Sequence, residues 1–569
     1  MKRNINICGI NGFDWKGVFA LFLLLWLCIN LGQSVFTEMM SDEAYYYMYG
    51  EHLSWGYFDH PPMVGLMTYL SKLLFGGNLS VRFATTILQL LTLILIWKIT
   101  AVSSPDTNKI VWFFLIAASF VMFQAYGFVT TPDAPLLFFA VLFLYAYKRF
   151  LKDESWLNTL FLAVSVAGMV YSKYHAVLII GFVLLSNLRL LTRGKIWLAG
   201  LLALGLLAPH IYWQASNDFP SFQYHLGARS RSFRWIYFLE YIPNQLLVFN
   251  PFTLGAVVYV LAKYRPSDVF ERGMYFLIYG LIVFFWATSF RGHVEPHWTV
   301  AASVPMMILL YRRSLEDKRL SSYIKKVVAP SLLLLLLTRV LLTTDLLPDS
   351  LHFSGKAEAC QRIETLAGDL PVVFTGSFQP PSNYHFFTGK ESFVLSAVVG
   401  RQTQFDLLEK ELAYQGKAVF ICQDNSVQSQ PYLVNGLPVY GYFADSLQTV
   451  NRVRIRYTLE QTAVYPGDTL GIAFEMHNPT AHEIDFLHPE FPVSCRAAYV
   501  DGKEGEAYYA ACELAEPILR LPAHTTLRGS LKTLVPRLEP ANYQFTLTLL
   551  NSICAARNSA YVSLQIFRE

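Results

Sequence analysis

Charge is what this sequence has least of. Only 15% of its 569 residues are Asp, Glu, Lys or Arg, against 54% apolar and 15% aromatic. An ordinary soluble chain carries about a quarter charged residues. The net charge of +4 is mild and gives no reason to invoke a nucleic-acid partner. The first apolar block also lacks a small-residue cleavage site, which reads as a retained anchor rather than a removed signal peptide.

The scarcity is uneven. Residues 1 to about 345 are a series of apolar blocks, and the remainder reads as globular sequence. A bilayer span takes roughly 20 mostly apolar residues. About eleven blocks qualify, near 16–36, 79–99, 109–129, 133–150, 156–172, 174–192, 195–213, 240–262, 271–290, 296–311 and 325–345. The expected architecture is a polytopic α-helical membrane protein. Lys and Arg of the short connections concentrate on the side of the N-terminus, which the positive-inside rule makes cytoplasmic. An odd number of spans then puts the C-terminal region outside the cytoplasmic membrane, the periplasm in a bacterium.

With that orientation the unusual polar residues collect on the outer face. "SDEAYYYMYGEHLSWGYFDHPPM" (41–63) brings Asp42, Glu43, Glu51, His52, Asp59 and His60. "TTPDAPLLFF" brings Asp133, "YSKYHA" Lys173, the 214–239 loop Arg229, Arg231 and Arg234, and "RGHVEPHW" His293, Glu295 and His297. Ionisable groups near a bilayer are costly and usually mark a site. Plainer readings stand beside this one. Asp133 after Thr-Pro also suits a helix N-terminus, and Lys173 suits a snorkelling lysine. The three arginines also suit lipid headgroups. Tyr45, Tyr46, Tyr47, Tyr49 and Trp55 suit an interfacial aromatic belt. His293, Glu295 and His297 read as polar lining, alternate spacing being weak ground for a metal site.

Acids and cations together at a membrane face suit glycosyl transfer from a lipid-linked phosphosugar. A carboxylate activates the acceptor, and cations stabilise the departing phosphate. A transporter of lipid-linked glycans is the competing class, but it places its charges near the bilayer midplane. Here they lie at helix ends.

"SDEAYYYMYGEHLSWGYFDHPPMVGLM", "TPDAPLLFF", "GMVYSKYHAVL" and "VEPHW", in this order, resemble the GT-C glycosyltransferases of the protein O-mannosyltransferase and lipid A aminoarabinose transferase type. The resemblance spans most of residues 15–315. It implies a polyprenyl-phosphate sugar donor, a lipid, glycan or protein acceptor, an inverting mechanism and no strictly required metal. It also implies roles: Asp42 as general base, Glu43 as its supporting acid, and Asp133 positioning acceptor or donor. Lys173 with Arg229, Arg231 and Arg234 become the donor-phosphate cations. Asp59, His60 and Tyr46, with His293, Glu295 and His297, line the cavity and acceptor side. Where aminoarabinose enzymes tend to carry a lysine before Pro-Pro, this chain has His60, a departure that counts against phosphate binding at this position and against aminoarabinose as the donor, which is kept as the alternative.

Residues 346–446, with "LPVVFTG" and "KAVFICQ", predict a small α/β domain. Residues 447–569 alternate polar and apolar between "PGD", "NPT" and "DGK", which predicts an antiparallel β-sandwich. Neither carries a catalytic arrangement. Cys360, Cys422, Cys495, Cys512 and Cys554 lie in this exported region, with Cys495–Cys512 the suggested disulfide.

Overall fold

The computed structural model describes residues 14–225, 234–344, 346, 354–423, 430–501 and 506–568. The chain divides into two compact units, Met1–Gly355 and Lys356–Glu569.

Every apolar block of the first unit is helical. In chain order these helices are α1 (Trp15–Phe36), α2 (Ser41–Glu51), α3 (Met63–Lys72), α4 (Leu79–Thr100), α5 (Thr107–Ser119) and α6 (Val121–Ala125). They continue as α7 (Asp133–Lys152), α8 (Trp156–Ser172), α9 (Ala176–Ser186), α10 (Gly194–Ser216), α11 (Pro220–Gln223) and α12 (Trp235–Phe249). The last of the unit are α13 (Pro251–Lys263), α14 (Val269–Thr288), α15 (Ser303–Ser314), α16 (Lys318–Tyr323) and α17 (Ala329–Leu341). By length and composition, α1, α4, α7, α10 and the helix beginning at Val269 suffice to cross a membrane. The protein is therefore a multi-pass membrane protein.

Of the eleven expected spans, five are single helices of sufficient length among the described residues, or six if the bent α12–α13 pair counts as one. Two of the blocks are visibly broken. The one expected at 109–129 breaks at Phe120, where extended backbone separates α5 from α6. The one expected at 240–262 is bent by 97° between α12 and α13. Asn250 at the bend has φ +62°, and Pro251 follows it. Proline has no N–H for a continuing helix and disfavours helical backbone in the residue before it. Asn250 then caps the new helix by accepting the Phe252 N–H at 3.1 Å.

α2 and α3 form a short hairpin beside α4. Gly50 makes their approach possible: a Cβ there would lie 2.5 Å from Thr68 Oγ1 and 2.8 Å from the Tyr69 amide nitrogen. The hydrophobic core of the unit runs through α4, α5, α7, α14 and α15, with Trp112, Phe113 and Tyr311 almost wholly buried.

In the second unit, β1 (Val372–Thr375) pairs in parallel with β2 (Ser392–Leu395) and β3 (Val419–Cys422). The sheet is completed by antiparallel β5 (Leu437–Ala444) and β4 (Gln430–Val434). Beyond it, eight strands join in the order β6-β8-β13-β11-β10-β14-β15-β7. These are β6 (Arg454–Leu459), β7 (Ala463–Val464), β8 (Thr469–His477), β10 (Ser494–Asp501) and β11 (Ala507–Leu514), then β13 (Thr526–Leu534), β14 (Ala541–Leu550) and β15 (Val562–Ile566). β9 (Ile484–Asp485) and β12 (Arg520–Leu521) form a separate pair. Where the sequence suggests two packed sheets, the ladder is continuous because β11 pairs with β10 along its first half and with β13 along its second. The sheet curls so that the Ile455 N–H donates to Asn558 O at 2.7 Å and Tyr457 OH to Phe545 O at 2.9 Å.

Cys495 and Cys512 are both free thiols. Arg496 pairs with Ala511, so one step along the ladder the two cysteines face each other across β10 and β11. The suggested disulfide is absent, although the positions match.

Candidate functional site

The opening loop is built around a buried ion pair. Glu43, in the first turn of α2, is fully buried. Its carboxylate receives Arg82 Nε at 2.8 Å, Arg82 Nη2 at 2.5 Å, the Thr130 N–H at 2.8 Å and the Met40 N–H at 3.1 Å. Arg82 also donates to the carbonyls of Ser34, Thr37 and Glu38, gathering the C-terminal end of α1. Expected as the chemical companion of Asp42, Glu43 instead neutralises Arg82, and its oxygens are committed. Asp42, one residue earlier, is half-buried at the start of the same helix. A carboxylate is favoured there by the helix dipole.

The second group forms around Asp133. Pro132 precedes α7, and Asp133 is its first residue, 2% exposed. Lys173 leaves α8 in extended backbone at the C-cap and points Nζ at Asp133, at 2.7 Å from Oδ1 and 2.8 Å from Oδ2. His297, in a short 3₁₀ helix over Pro296–Ala302, places Nε2 3.5 Å from Asp133 Oδ2. His60 also acts electrostatically on Asp133. Residues from three expected outer segments are thus brought together. Lys173, expected to hold a phosphate, commits two of its three N–H groups to Asp133.

Asp59, His60 and Tyr46 make the third group. Tyr46 OH and His60 Nε2 are hydrogen-bonded at 3.2 Å, and His60 Nε2 lies 3.9 Å from Asp59 Oδ2. Tyr49 OH donates to Asp59 Oδ1. Burial first, then the neighbouring Asp59 carboxylate, pushes the Tyr49 hydroxyl well above its usual range. Tyr49 stacks on Tyr57 at 3.9 Å, and burial pushes the Tyr57 hydroxyl up to about 12. Both phenols therefore stay protonated as donors.

His293 and Glu295 lie further out, their ends 3.7 Å apart and both more than a third exposed. Arg234 is exposed at the start of α12. Arg229 and Arg231 lie outside the described residues. Among the described residues, no group of three or more His, Cys, Asp or Glu is arranged to hold a metal ion.

Several residues of the site escape a sequence reading. Arg82 reads as one more loop charge, although a lone arginine in the apolar run "SVRFATTIL" was a signal of burial. His225, Tyr174 and Gln214 carry none. His225 Nε2 is hydrogen-bonded to Asp59 O at 2.9 Å, and Gln214 Nε2 donates to Tyr174 OH at 2.8 Å and to Ser221 Oγ at 2.8 Å. Ser221 Oγ in turn donates to Tyr57 O at 2.9 Å, fastening α11 to the opening loop.

Comparison with known proteins follows this geometry. Residues 59–213 match the family model of dolichyl-phosphate-mannose-protein mannosyltransferase. That stretch holds Asp59, His60, Asp133 and Lys173, but not Asp42 or Glu43. No curated protein matches the chain. Among solved structures, ArnT from Cupriavidus metallidurans bound to undecaprenyl phosphate superposes with a TM-score of 0.56 at 14% identity, covering 75% of this chain and 98% of that one. The apo form of the same protein gives 0.54 at 13% identity, with the same coverage. The family model thus covers residues 59–213 of the chain, and the fold is that of ArnT.

Proposed function

We propose that the protein transfers a sugar from a polyprenyl-phosphate donor to a hydroxyl acceptor at the outer face of the cytoplasmic membrane, with inversion. The observation that carries this reading is the different treatment of two carboxylates. Asp133 is buried and held by Lys173 and His297. Asp42 is half-buried on a short helix fixed by the Glu43–Arg82 pair. A base needs access to the hydroxyl it deprotonates, and a positioning group needs rigidity.

In this scheme Asp42 takes the acceptor proton as the acceptor oxygen bonds to the anomeric carbon. The bond from that carbon to the phosphate oxygen breaks, and its electron pair leaves with polyprenyl phosphate. Asp133 positions donor or acceptor, with Lys173, Arg234, Arg229 and Arg231 on the phosphate side. Asp59, His60 and Tyr46, with His293, Glu295 and His297, line the way in. The likeness to ArnT with undecaprenyl phosphate bound supports a polyprenyl-phosphate lipid, and aminoarabinose stays the alternative donor.

The test uses purified full-length protein in lipid nanodiscs with radiolabelled polyprenyl-phosphate hexose, pentose or aminoarabinose and an envelope extract as acceptor. Removing a general base costs roughly 100- to 10,000-fold in rate. D42N should lose transfer on that scale while still binding donor. Transfer at the wild-type rate in D42N would remove Asp42 as the base. Movement of labelled lipid across the bilayer without any glycosylated product would replace the enzyme by a transporter.

A further inference from the structure

A second buried guanidinium lies beside the first, and it has no acid. Arg339, in the last turn of α17, is 7% exposed. Its Nε donates to Gln33 Oε1 at 3.2 Å, Nη1 to Gln124 Oε1 at 2.7 Å and Nη2 to Asn30 Oδ1 at 2.8 Å. All three acceptors are neutral amides. Among the described residues no carboxylate pairs with it, whereas Arg82 has Glu43. The Phe128 ring lies beside both, 6.0 Å from Arg82 Cζ and 5.1 Å from Arg339 Cζ. One of the two guanidinium groups thus has a paired carboxylate and the other has none.

The remaining polar atoms point the same way. A guanidinium has five N–H donors, so one on each of Nη1 and Nη2 is left over. On α1, Trp26 Nε1, Asn30 Nδ2 and Ser34 Oγ are buried without a hydrogen-bond partner. They are spaced four residues apart and so share one helix face. Asn30 is the same side chain whose oxygen takes Arg339. The α17 C-terminal dipole favours a cation there, but that effect is smaller than the cost of burying a charge. A cation with surplus donors and no paired carboxylate is complementary to an oxyanion.

We propose that the α1 face carrying Trp26, Asn30 and Ser34, together with Arg339 of α17, binds the phosphate group of a membrane lipid. The residues belong to helices of the membrane unit, which favours a lipid headgroup over free phosphate. The hydrogen bonds of Arg339 go to Gln33, Gln124 and Asn30 rather than to Asp42 or Asp133, and the reading does not depend on the roles of those acids.

The experiment is thermal unfolding and native mass spectrometry of the delipidated full chain. The probes are phosphatidylglycerol, polyprenyl phosphate, diacylglycerol and inorganic phosphate. Phosphatidylglycerol should bind at least tenfold tighter than diacylglycerol, with polyprenyl phosphate as the control for the donor site. R339Q should abolish that preference, R339K should keep part of it, and D42N all of it. S34A and W26F, which leave the charge in place, should each weaken it severalfold and serve if R339Q fails to fold. No preference in the wild-type protein overturns the site. Inorganic phosphate binding as tightly as the lipids overturns the lipid assignment. A phosphatidylglycerol preference lost in K173M but kept in R339Q places that phosphate at the Asp133 centre and overturns the proposal as well.

Discussion

Glu43 Oε1 accepts the backbone N–H of Thr130 at 2.8 Å, across 87 residues of sequence. This bond joins the first turn of α2 to the segment leading into Asp133. The same carboxylate neutralises Arg82, whose other donors hold the end of α1. One acid thus fixes three pieces of backbone around the proposed reaction centre. E43Q keeps the shape but leaves Arg82 buried and uncompensated. Breaking a buried pair from one side costs about 3–5 kcal/mol. Unfolding in detergent should show that loss for E43Q, with D42N within about 0.5 kcal/mol of wild type. Equal stability of E43Q and wild type would refute the bracing role.

Asp133 and Lys173 are a closed pair, so their single and double variants should not add. D133N strands the Lys173 ammonium, and K173M strands the carboxylate. Each should destabilise by about 3–5 kcal/mol. The double variant D133N/K173M removes both charges and should recover about 0.5–3 kcal/mol of the summed loss. If Asp133 positions the reacting groups, the rescued double variant still loses about 100-fold or more in kcat/KM. Rescue of stability and activity together would leave the pair a purely structural role.

The meeting of Asp133, Lys173 and His297 was legible in part, because each stands at the end of an apolar run and a charge there needs company. What the sequence does not carry is who neutralises whom. Lys173 reads equally as a phosphate cation or a carboxylate partner, since both demand the same ammonium. Glu43 reads as chemistry because it adjoins Asp42, yet helix geometry turns adjacent residues to different faces. Arg82 is the partner that decides the matter, and nothing local marks it as such. Helix positions were legible because apolar length reports on them directly. The bend at Asn250–Pro251 was hidden inside an unbroken apolar run. Strand alternation likewise shows which face is buried but not which strand lies beside which, hence one continuous ladder where two sheets are suggested.

Asp317 makes the protein sensitive to acid at a connection outside the spans. It lies between α15 and α16, where Lys263 Nζ donates to Oδ2 at 2.7 Å, Tyr264 OH at 2.8 Å and Tyr259 OH at 3.0 Å. Burial pushes the carboxyl up, but the bonds from Lys263, Tyr264, the Leu320 N–H and Tyr259 outweigh it and hold it well below the usual range. A carboxyl depressed in the folded state stabilises at pH above its unfolded value, about 3.9, and loses that contribution as pH falls through the folded value. The stability gap between wild type and D317N should be constant from pH 7 to about 5 and shrink below about 4. A gap independent of pH down to 3 would show that the carboxylate charge contributes nothing.

Cys495 and Cys512 stand opposite each other on β10 and β11 as free thiols, close enough to hydrogen-bond. That bond, donated by Cys495, lowers the Cys512 thiol from its ordinary value and outweighs its burial. Directly opposed residues in an antiparallel pair have Cβ atoms about 4.5–5.5 Å apart, a little wider than a disulfide spans, so closure needs a small local shift. With oxidised glutathione as acceptor, the Cys512 thiolate attacks its disulfide and releases one glutathione thiolate, the Cys495 thiolate then attacks the Cys512 sulfur and releases the second, and two electrons pass to the reagent. Thiol titration of the full chain after such treatment should fall by two relative to untreated protein, and C512S should abolish the change. A peptide map joining 495 to 512 would confirm the bond. Loss of two thiols in C512S as well would assign the oxidation to a different pair.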